Sequence, residues 1–290
     1  MINEFKIKDL GPVKKCLGME VFRDRSKRLI KLNQGQYCAE VLKRFRMEEA
    51  HSSPTPVTSG VKLGPSEVKS NVPYQEAIGS LMYLALGTRP DLSYAVSHLS
   101  QFNASHGPEH WQAVKRVLRY LKGTSDFGIV YAQGDCCITG FSDADWGANY
   151  DRQSISGSVF MLGGGAISWQ SKKQSCVSLS TMEAEYVSLA NASKEAVFLR
   201  KLFCQLFGTG SQGPIKLHCD NQSALKAASN PVFHERTKHI DIRYHHIRKL
   251  VIKKEIILVN VPTHEMVADI FTKGLPRESH CRIVNALGVS

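Results

Sequence analysis

The chain has 290 residues, 42% of them hydrophobic, which is enough to bury the cores of two domains. No apolar run is long enough to span a membrane, and the N-terminal residues lack the apolar segment of a signal peptide. The eight cysteines have no paired spacing, so they exclude a disulfide framework and a zinc motif and are typical of an intracellular protein. A net charge of +11, positive in both halves, predicts a polyanionic partner such as nucleic acid.

The first half is predicted to be mainly helical. Strand-like apolar runs surround residues 16–22, and residues 51–70 are rich in proline, glycine and serine, which is typical of a linker or a long loop. Apolar residues at helical spacing predict four helices, at residues 36–47, 74–86, 92–102 and 110–122. Pro108 opens the fourth helix, a common position for proline in a first turn.

The fourth predicted helix carries a basic stripe. Lys115, Arg119 and Lys122 share one face, with aromatic residues nearby. Such a stripe could follow a phosphate backbone, and it is equally typical of an ordinary solvated helix face. Both interpretations stay open at this point.

The composition changes near Tyr131, where we expect a domain boundary between residues 1–130 and 131–290. A strand over residues 137–142 leads to Asp143 and Asp145, which point to one face. Two more strands, residues 158–162 and 166–170, are joined by three glycines that predict a hairpin turn rather than a phosphate-binding loop. By themselves, the two aspartates are more typical of solvated turn residues, and only the acidic residues downstream favour a metal site.

The longest predicted helix covers residues 179–207. Ser180 and Glu183 have the spacing of a capping box, which assigns Glu183 a structural task. Glu185 instead lies at the edge of the buried stripe, where it faces the sheet. The sequence therefore favours Glu185 as the helix carboxylate that meets Asp143.

The remaining elements supply two further acids. The strand over residues 215–219 ends at Asp220, which could also be the N-cap of the helix at residues 222–228. A helix over residues 236–254 is crowded with basic groups, including Lys238 and Arg243, and favours a polyanion-facing or packed surface over a second metal site. After a strand at residues 255–261, a closing helix over residues 265–273, capped by Thr263, would carry Asp269 on one edge.

This order of elements predicts an α/β fold with a mixed sheet flanked by helices. Strand ends and helices could bring four carboxylates together, namely Asp143, Glu185, Asp220 and Asp269. Four carboxylates can hold two Mg²⁺ ions roughly 4 Å apart, an arrangement used for in-line attack at phosphorus.

At these residues the chain resembles a known family. FSDADW, ISWQSKKQ, STMEAEYVSLA, HCDNQSAL, NPVFHERTKHIDIRYHHIR and VPTHEMVADIFTK occur in the order found in the ribonuclease H domain of copia-type retrotransposon Pol polyproteins. The resemblance covers about residues 138–273 and implies a ribonuclease H-like fold that uses Mg²⁺, or Mn²⁺ in its place. It implies catalytic and metal-binding roles for the same four carboxylates and, more loosely, a proton-transfer role for His264.

The first half resembles the same polyproteins. FKIKDLGPVKKCLGMEV, QGQYCAEVLKRFRM and AIGSLMYLALGTRPDLSYAVSHLS are similar to the thumb and connection part of reverse transcriptase. No YVDD-like sequence occurs, so we expect the polymerase palm and fingers upstream, as a partner in the full polyprotein. The implied location is the cytoplasm, in a virus-like particle, or the nucleus.

Three functions are compatible with these residues. The leading one is endonucleolytic cleavage of the RNA strand of RNA–DNA hybrids, where the 2′-OH distinguishes RNA from DNA. The second is an inactive remnant that binds nucleic acid duplexes. The third, another two-metal nuclease or an integrase-like transferase, is disfavoured by the KHIDIRYHHIR block.

Overall fold

The computed structural model describes residues 11–68, 70–132, 134, 137–147, 149–208, 212–229 and 241–290, with the backbone alone for residues 229 and 241–245. The first half begins with a small antiparallel sheet in the order β1-β2-β3-β4. Its strands are β1 (Lys15–Cys16), β2 (Met19–Asp24), β3 (Leu29–Asn33) and β4 (Gly128–Tyr131). Beside it lie the helices α1 (Gly35–Arg44), α2 (Tyr74–Gly87), α3 (Ser93–Ser100) and α4 (Pro108–Gly123).

The helices of the first half share one apolar core. α2 and α3 contribute fully buried leucines, alanines and valines, including Leu81, Leu84 and Val96, and α4 contributes Val117. A short 3-10 turn over Pro90–Leu92 joins α2 to α3. The prediction of a mainly helical first half is confirmed.

The second half is a five-stranded mixed sheet in the order β7-β6-β5-β8-β9. Its strands are β5 (Thr139–Asp145), β6 (Ile155–Leu162), β7 (Gly165–Lys173), β8 (Ile215–Cys219) and β9 (Ile256–Asn260). β5, β6 and β7 are antiparallel neighbours, whereas β5, β8 and β9 run parallel. The helices are α5 (Thr181–Phe207), α6 (Gln222–Ser229), α7 (Asp241–Ile252) and α8 (Arg277–Ala286). This is the predicted mixed sheet flanked by helices.

The glycine triplet forms the predicted hairpin turn between β6 and β7. Gly163 and Gly164 have φ angles of 58° and 78°, in the left-handed region that side chains rarely adopt. A phosphate-binding loop is therefore excluded at this position.

The two halves pack directly against each other. The C-terminal residues pair with β4, since the amide of Val130 donates to the carbonyl of Gly288 at 2.8 Å. Trp169 of β7 donates its indole N–H to the carbonyl of Ala85 at the end of α2, also at 2.8 Å. No helix in the described part of the chain has the length and hydropathy needed to cross a bilayer.

Two predicted elements differ from the structure. The predicted closing helix over residues 265–273 is wrong, because two 3-10 turns, Thr263–Glu265 and Val267–Phe271, occupy this stretch. Met266 separates them in an extended conformation, with ψ of 102°. β5 also continues past its predicted end at Ser142, so that Asp143 lies within the strand.

Candidate metal centre

The centre is built first from two neighbouring parallel strands. Phe141 of β5 pairs with His218 of β8. Asp143 and Asp220 each follow this pair by two residues. Because parallel neighbours advance in step at about 4.8 Å separation, the two aspartates reach the same end of the sheet.

Helix α5 brings the third carboxylate to this end of the sheet. Ser188 fixes the helix to the strand, because its hydroxyl donates to the backbone carbonyl of Asp143 at 2.7 Å. One turn earlier, Glu185 is buried. Glu185, Asp220 and the Cys219 thiol offer ligand atoms within 4.8 Å of one another. The structure thus brings together Glu185 and the strand aspartates.

The capping box explains why Glu183 has no part in this cluster. Ser180 Oγ accepts a hydrogen bond from the Glu183 amide at 3.2 Å, and Glu183 Oε2 accepts one from the Leu179 amide at 2.7 Å. The side chain therefore stays at the start of α5, satisfying amides that the helix leaves unpaired.

The fourth carboxylate, Asp269, arrives on the second 3-10 turn. That turn lies close against β6, because Gly157, the partner of Asp143 in the sheet, carries no side chain. A Cβ at Gly157 would lie 2.7 Å from the Thr272 methyl group. The close approach lets the Thr272 hydroxyl contact both Asp143 Oδ2 and the Asp269 carbonyl.

Lys273 links the two carboxylates that Thr272 brings together. Its ammonium lies 3.0 Å from Asp269 Oδ1 and 3.8 Å from Asp143 Oδ2. Burial alone would lower the pKa of Lys273, but the charges of Asp143 and Asp269 raise it above its ordinary value. Lys273 is therefore a charged member of the centre.

The electrostatics of the cluster are those of like charges held close together. Burial, followed by the charges of Asp143 and Asp220, raises the pKa of Glu185 to about 10. Burial and the charge of Asp143 raise the pKa of Asp269 to about 7, against the opposing effect of Lys273. A divalent cation bound among these groups would offset the repulsion and keep the carboxylates ionised.

The donor set fits a hard divalent cation. The cluster offers carboxylate oxygens, which Mg²⁺ and Mn²⁺ prefer. Glu185 Oε2 is buried and has no hydrogen-bond partner within the described residues, so an oxygen ligand is directed into the cluster. Burial raises the pKa of the neighbouring Cys219 thiol, which therefore stays protonated and is a poor ligand.

Residues of the first half lie beside this centre, close to Asp145 of β5. Burial raises the pKa of Asp145, while Lys273 and Lys62, from the loop before α2, lower it. Tyr94 of α3 also lies within electrostatic range of Asp145. Residues of both halves thus surround the acidic cluster.

The other predicted site residues lie elsewhere. His264 is on the exposed first 3-10 turn, where its Nε2 is 3.5 Å from Glu265 Oε1. Arg119 donates its Nε–H to the carbonyl of His51 at 2.7 Å, and Lys115 on the same helix is half-buried. Lys122 lines a cleft of about 430 Å³ together with Glu48 and Glu49. Lys238 and the Arg243 side chain lie outside the described residues.

Four residues of the centre were not identified from the sequence. Lys273 follows Asp269 by four residues, a spacing that could have indicated the ion pair. No sequence spacing indicates that Thr272, Gly157 and Thr263 belong to the centre. Thr263 was expected to cap a helix, but its hydroxyl donates to Asp220 Oδ2 at 2.8 Å. These contacts span up to 129 residues and depend on the tertiary fold.

Comparison with known proteins places the chain among transposon polyproteins. It is 43% identical over 285 residues to the "Retrovirus-related Pol polyprotein from transposon TNT 1-94" of Nicotiana tabacum, which covers 95% of this chain and 21% of the relative. It is 40% identical over 293 residues to the corresponding polyprotein from transposon RE1 of Arabidopsis thaliana, covering 99% and 20%. The chain thus spans about a fifth of the length of these relatives. No protein-family model matches it.

Among solved structures, the chain is similar to an N-terminal RNase H domain from Mycobacterium tuberculosis, solved as a fusion with maltose binding protein. The TM-score is 0.36 with 14% identity, covering 52% of this chain and 99% of that one. An RNase H1 isolated from compost gives a TM-score of 0.37 with 13% identity, over 52% and 99%. Because both TM-scores are below 0.5, the fold class rests on the strand order and not on these two matches.

Proposed function

Because the chain belongs to the family of retrovirus-related Pol polyproteins of copia-type transposons, we propose that residues 131–290 form its ribonuclease H domain. The domain hydrolyses the RNA strand of RNA–DNA hybrids. The observation that carries this proposal is the proximity of carboxylates from distant parts of the chain: Asp143 and Asp220 both act on Glu185, and Asp143 also acts on Asp269.

The four carboxylates would hold two Mg²⁺ ions in this proposal. Bound there, the metal supplies an activated water and stabilises charge on the leaving oxygen. Asp143 and Asp220 offer ligands from the rigid sheet, while Glu185 contributes the oxygen that has no partner among the described residues. Mn²⁺ is the expected substitute, because it accepts the same oxygen ligands.

Neighbouring residues orient the carboxylates. Thr272 donates to Asp143 Oδ2 and Thr263 to Asp220 Oδ2, so each strand aspartate has one oxygen fixed by a threonine hydroxyl. Such outer hydrogen bonds hold ligands in productive geometry, and their loss typically costs about 10–100-fold in metal affinity or activity. His264, on its exposed turn next to Thr263, is free of packing and is proposed to move a proton at the departing group.

The first half is proposed to guide the duplex. Lys62, which lies beside the cluster, and the basic stripe of α4 would contact phosphates. Lys238 and Arg243 are proposed for the same task from the sequence alone. The upstream palm and fingers of the polyprotein would deliver the hybrid, inside the cytoplasm or the nucleus where a retrotransposon is copied.

A cleavage assay tests the proposal. The purified chain is incubated with an end-labelled RNA–DNA hybrid in Mg²⁺, and with matched duplexes of RNA and of DNA as controls. We expect shortened RNA from the hybrid alone and no cutting in EDTA. Hybrid binding without cleavage would contradict the enzymatic function and favour the inactive nucleic-acid-binding remnant.

A further inference from the structure

One large aromatic side chain is exposed next to the acidic centre. Trp146 follows Asp145 directly, at the end of β5, and 48% of its surface is accessible. The other two tryptophans are half-buried in packing contacts: Trp111 lies against Phe45, and Trp169 hydrogen-bonds to the carbonyl of Ala85. Trp146 is thus the most open of the three indoles, and it lies beside the acidic centre.

The exposed ring is held in place rather than free to rotate. Its N–H donates to the carbonyl of Ser178 at 2.9 Å. The hydroxyl of Ser178, a buried residue, donates to Gln174 Oε1 at 3.0 Å, and Gln174 Nε2 donates to Ser156 Oγ and to the Ala184 carbonyl, both at 2.9 Å. A buried network thus fixes the edge of the indole and leaves its surface to solvent.

The segment that anchors the ring is itself apolar and exposed. Val177 and Leu179, on either side of Ser178, are 53% and 75% accessible. Together with Trp146 they form an apolar strip at the start of α5. An immobilised aromatic ring of this kind binds flat partners at little cost in side-chain entropy.

The position beside the acidic centre indicates what reaches the strip. Trp146 is the first residue after β5 and directly follows Asp145, which lies on the same strand as Asp143. A nucleic acid strand whose reacting phosphate lies at the carboxylates therefore passes beside the indole. Lys62, which acts on Asp145, adds positive charge for a phosphate backbone in the same region.

We propose that Trp146 is a substrate-contact residue, whose ring packs against a backbone sugar of the hybrid and sets the position of the strand over the carboxylates. This inference rests on the proposed function, because it takes the nucleic acid bound at the acidic centre as its ligand. Backbone sugars are the same at every base pair, so Trp146 contributes affinity and position without sequence preference.

Tryptophan fluorescence tests the proposal on the full chain. The chain is titrated with a short RNA–DNA hybrid in EDTA, so that no strand is cut. We expect the hybrid to quench the emission of the wild type and of the matched control W111F, and to have little effect on W146F. W146A should bind the hybrid about tenfold more weakly. The slope of log Kd against log salt should stay unchanged, because no phosphate contact is removed.

The outcomes separate this proposal from the ribonuclease function. If the wild type cleaves the hybrid in Mg²⁺ but W146A and W146F bind and quench as the wild type does, Trp146 is not a contact residue and only this inference fails. The strip would then be a surface for a protein. If the hybrid quenches Trp146 without being cleaved, the contact stands and the enzymatic function fails. A chain that neither binds nor cleaves the hybrid overturns both.

Discussion

The buried charges around Arg89 in the first half are paired, whereas those around Asp143 in the second half repel one another. Arg89 is fully buried and forms a bidentate ion pair with Asp91, at 2.7 Å for the shortest contact. Its remaining N–H groups donate to the carbonyl and hydroxyl of Thr124. The Tyr120 hydroxyl donates to Asp91 Oδ2 at 2.9 Å and lies 3.1 Å from His280 Nε2.

The pKa values of the two clusters move in opposite directions. Burial alone would raise the pKa of Asp91, but Arg89 overcomes it and holds the pKa below its ordinary value. In the acidic centre, burial and like charges both raise the pKa of Glu185, with Lys273 giving only a minor opposing effect. A neutral, fully hydrogen-bonded cluster stabilises a fold, whereas a cluster of partly compensated like charges lowers stability and serves binding.

The polar cluster around Arg89 also connects the two halves of the molecule. His280 belongs to α8, near the C-terminus, yet it completes the polar cluster of the first half. The last residues add a bridge between Val289 and Ile129 of β4. The C-terminal segment therefore stabilises the packing of the first half and holds it beside the acidic centre.

The largest effect is expected from Asp91→Asn. The change leaves the buried Arg89 charge without its counterion, and breaking such a pair costs about 3–5 kcal/mol. Urea unfolding followed by far-UV circular dichroism should show this loss in the free energy of unfolding. A loss below about 1 kcal/mol would mean that water or other groups compensate Arg89, and the cluster would not be structural.

The same substitution in the other cluster, Asp143→Asn, is expected to act in the opposite direction on stability. It removes one of several like charges, so the free energy of unfolding of the metal-free chain should rise. Cleavage of the hybrid should fall by at least about 100-fold, since a metal ligand is lost. A destabilised D143N chain would contradict the repulsion argument, and a fully active one would remove Asp143 from the centre.

Much of the second half could be predicted from its sequence because its determinants are local. β8 has its predicted bounds, the capping box of Ser180 and Glu183 forms, and Gly163 and Gly164 make the hairpin turn. The apolar periodicity of α5, together with the capping box, was enough to assign Glu183 to the helix cap and Glu185 to the side that faces the sheet. Each of these features depends on residues only a few positions apart.

The remaining features depend on contacts between distant residues. Nothing in the local sequence indicates that Arg89 is fully buried against Thr124. β4 pairs with β3 across about a hundred residues, which no local pattern predicts. The apolar spacing of residues 266–271 fits an α-helix. In the structure this stretch packs closely against Gly157 and adopts 3-10 geometry.

Glu185→Gln and Glu183→Gln form a matched pair on the same buried turn of α5. Glu185→Gln removes a charge from the centre, and we expect cleavage to fall about 10-fold or more. Glu183→Gln should change cleavage less than twofold, because a glutamine oxygen still accepts from the Leu179 amide. Initial cleavage rates in Mg²⁺ at fixed hybrid concentration are the measurement. The reverse result would show that the helix-face assignment is wrong.

The smallest expected effect is a difference in pH dependence between the clusters. Burial lowers the pKa of His280 below 6.5, against the effect of Asp91 and with a minor contribution from Arg89. Below that pH the unfolded chain binds a proton that the folded chain does not, so His280 makes the fold less stable as pH falls. Asp269, faced by Asp143 and Lys273, has a raised pKa of about 7 and acts in the opposite direction, because the folded chain takes up the proton first.

His280→Gln separates the two effects, because it keeps a polar group beside the Tyr120 hydroxyl and removes the titration. At pH 7.5 the variant should be less stable than the wild type, and the gap in free energy of unfolding should narrow between pH 6.5 and 5. The narrowing is about 1.4 kcal/mol for each unit by which the pKa is lowered. Urea unfolding of both chains in EDTA at these pH values measures it. Two parallel pH profiles would mean that His280 titrates as in the unfolded chain, and the polar cluster would then be open to water.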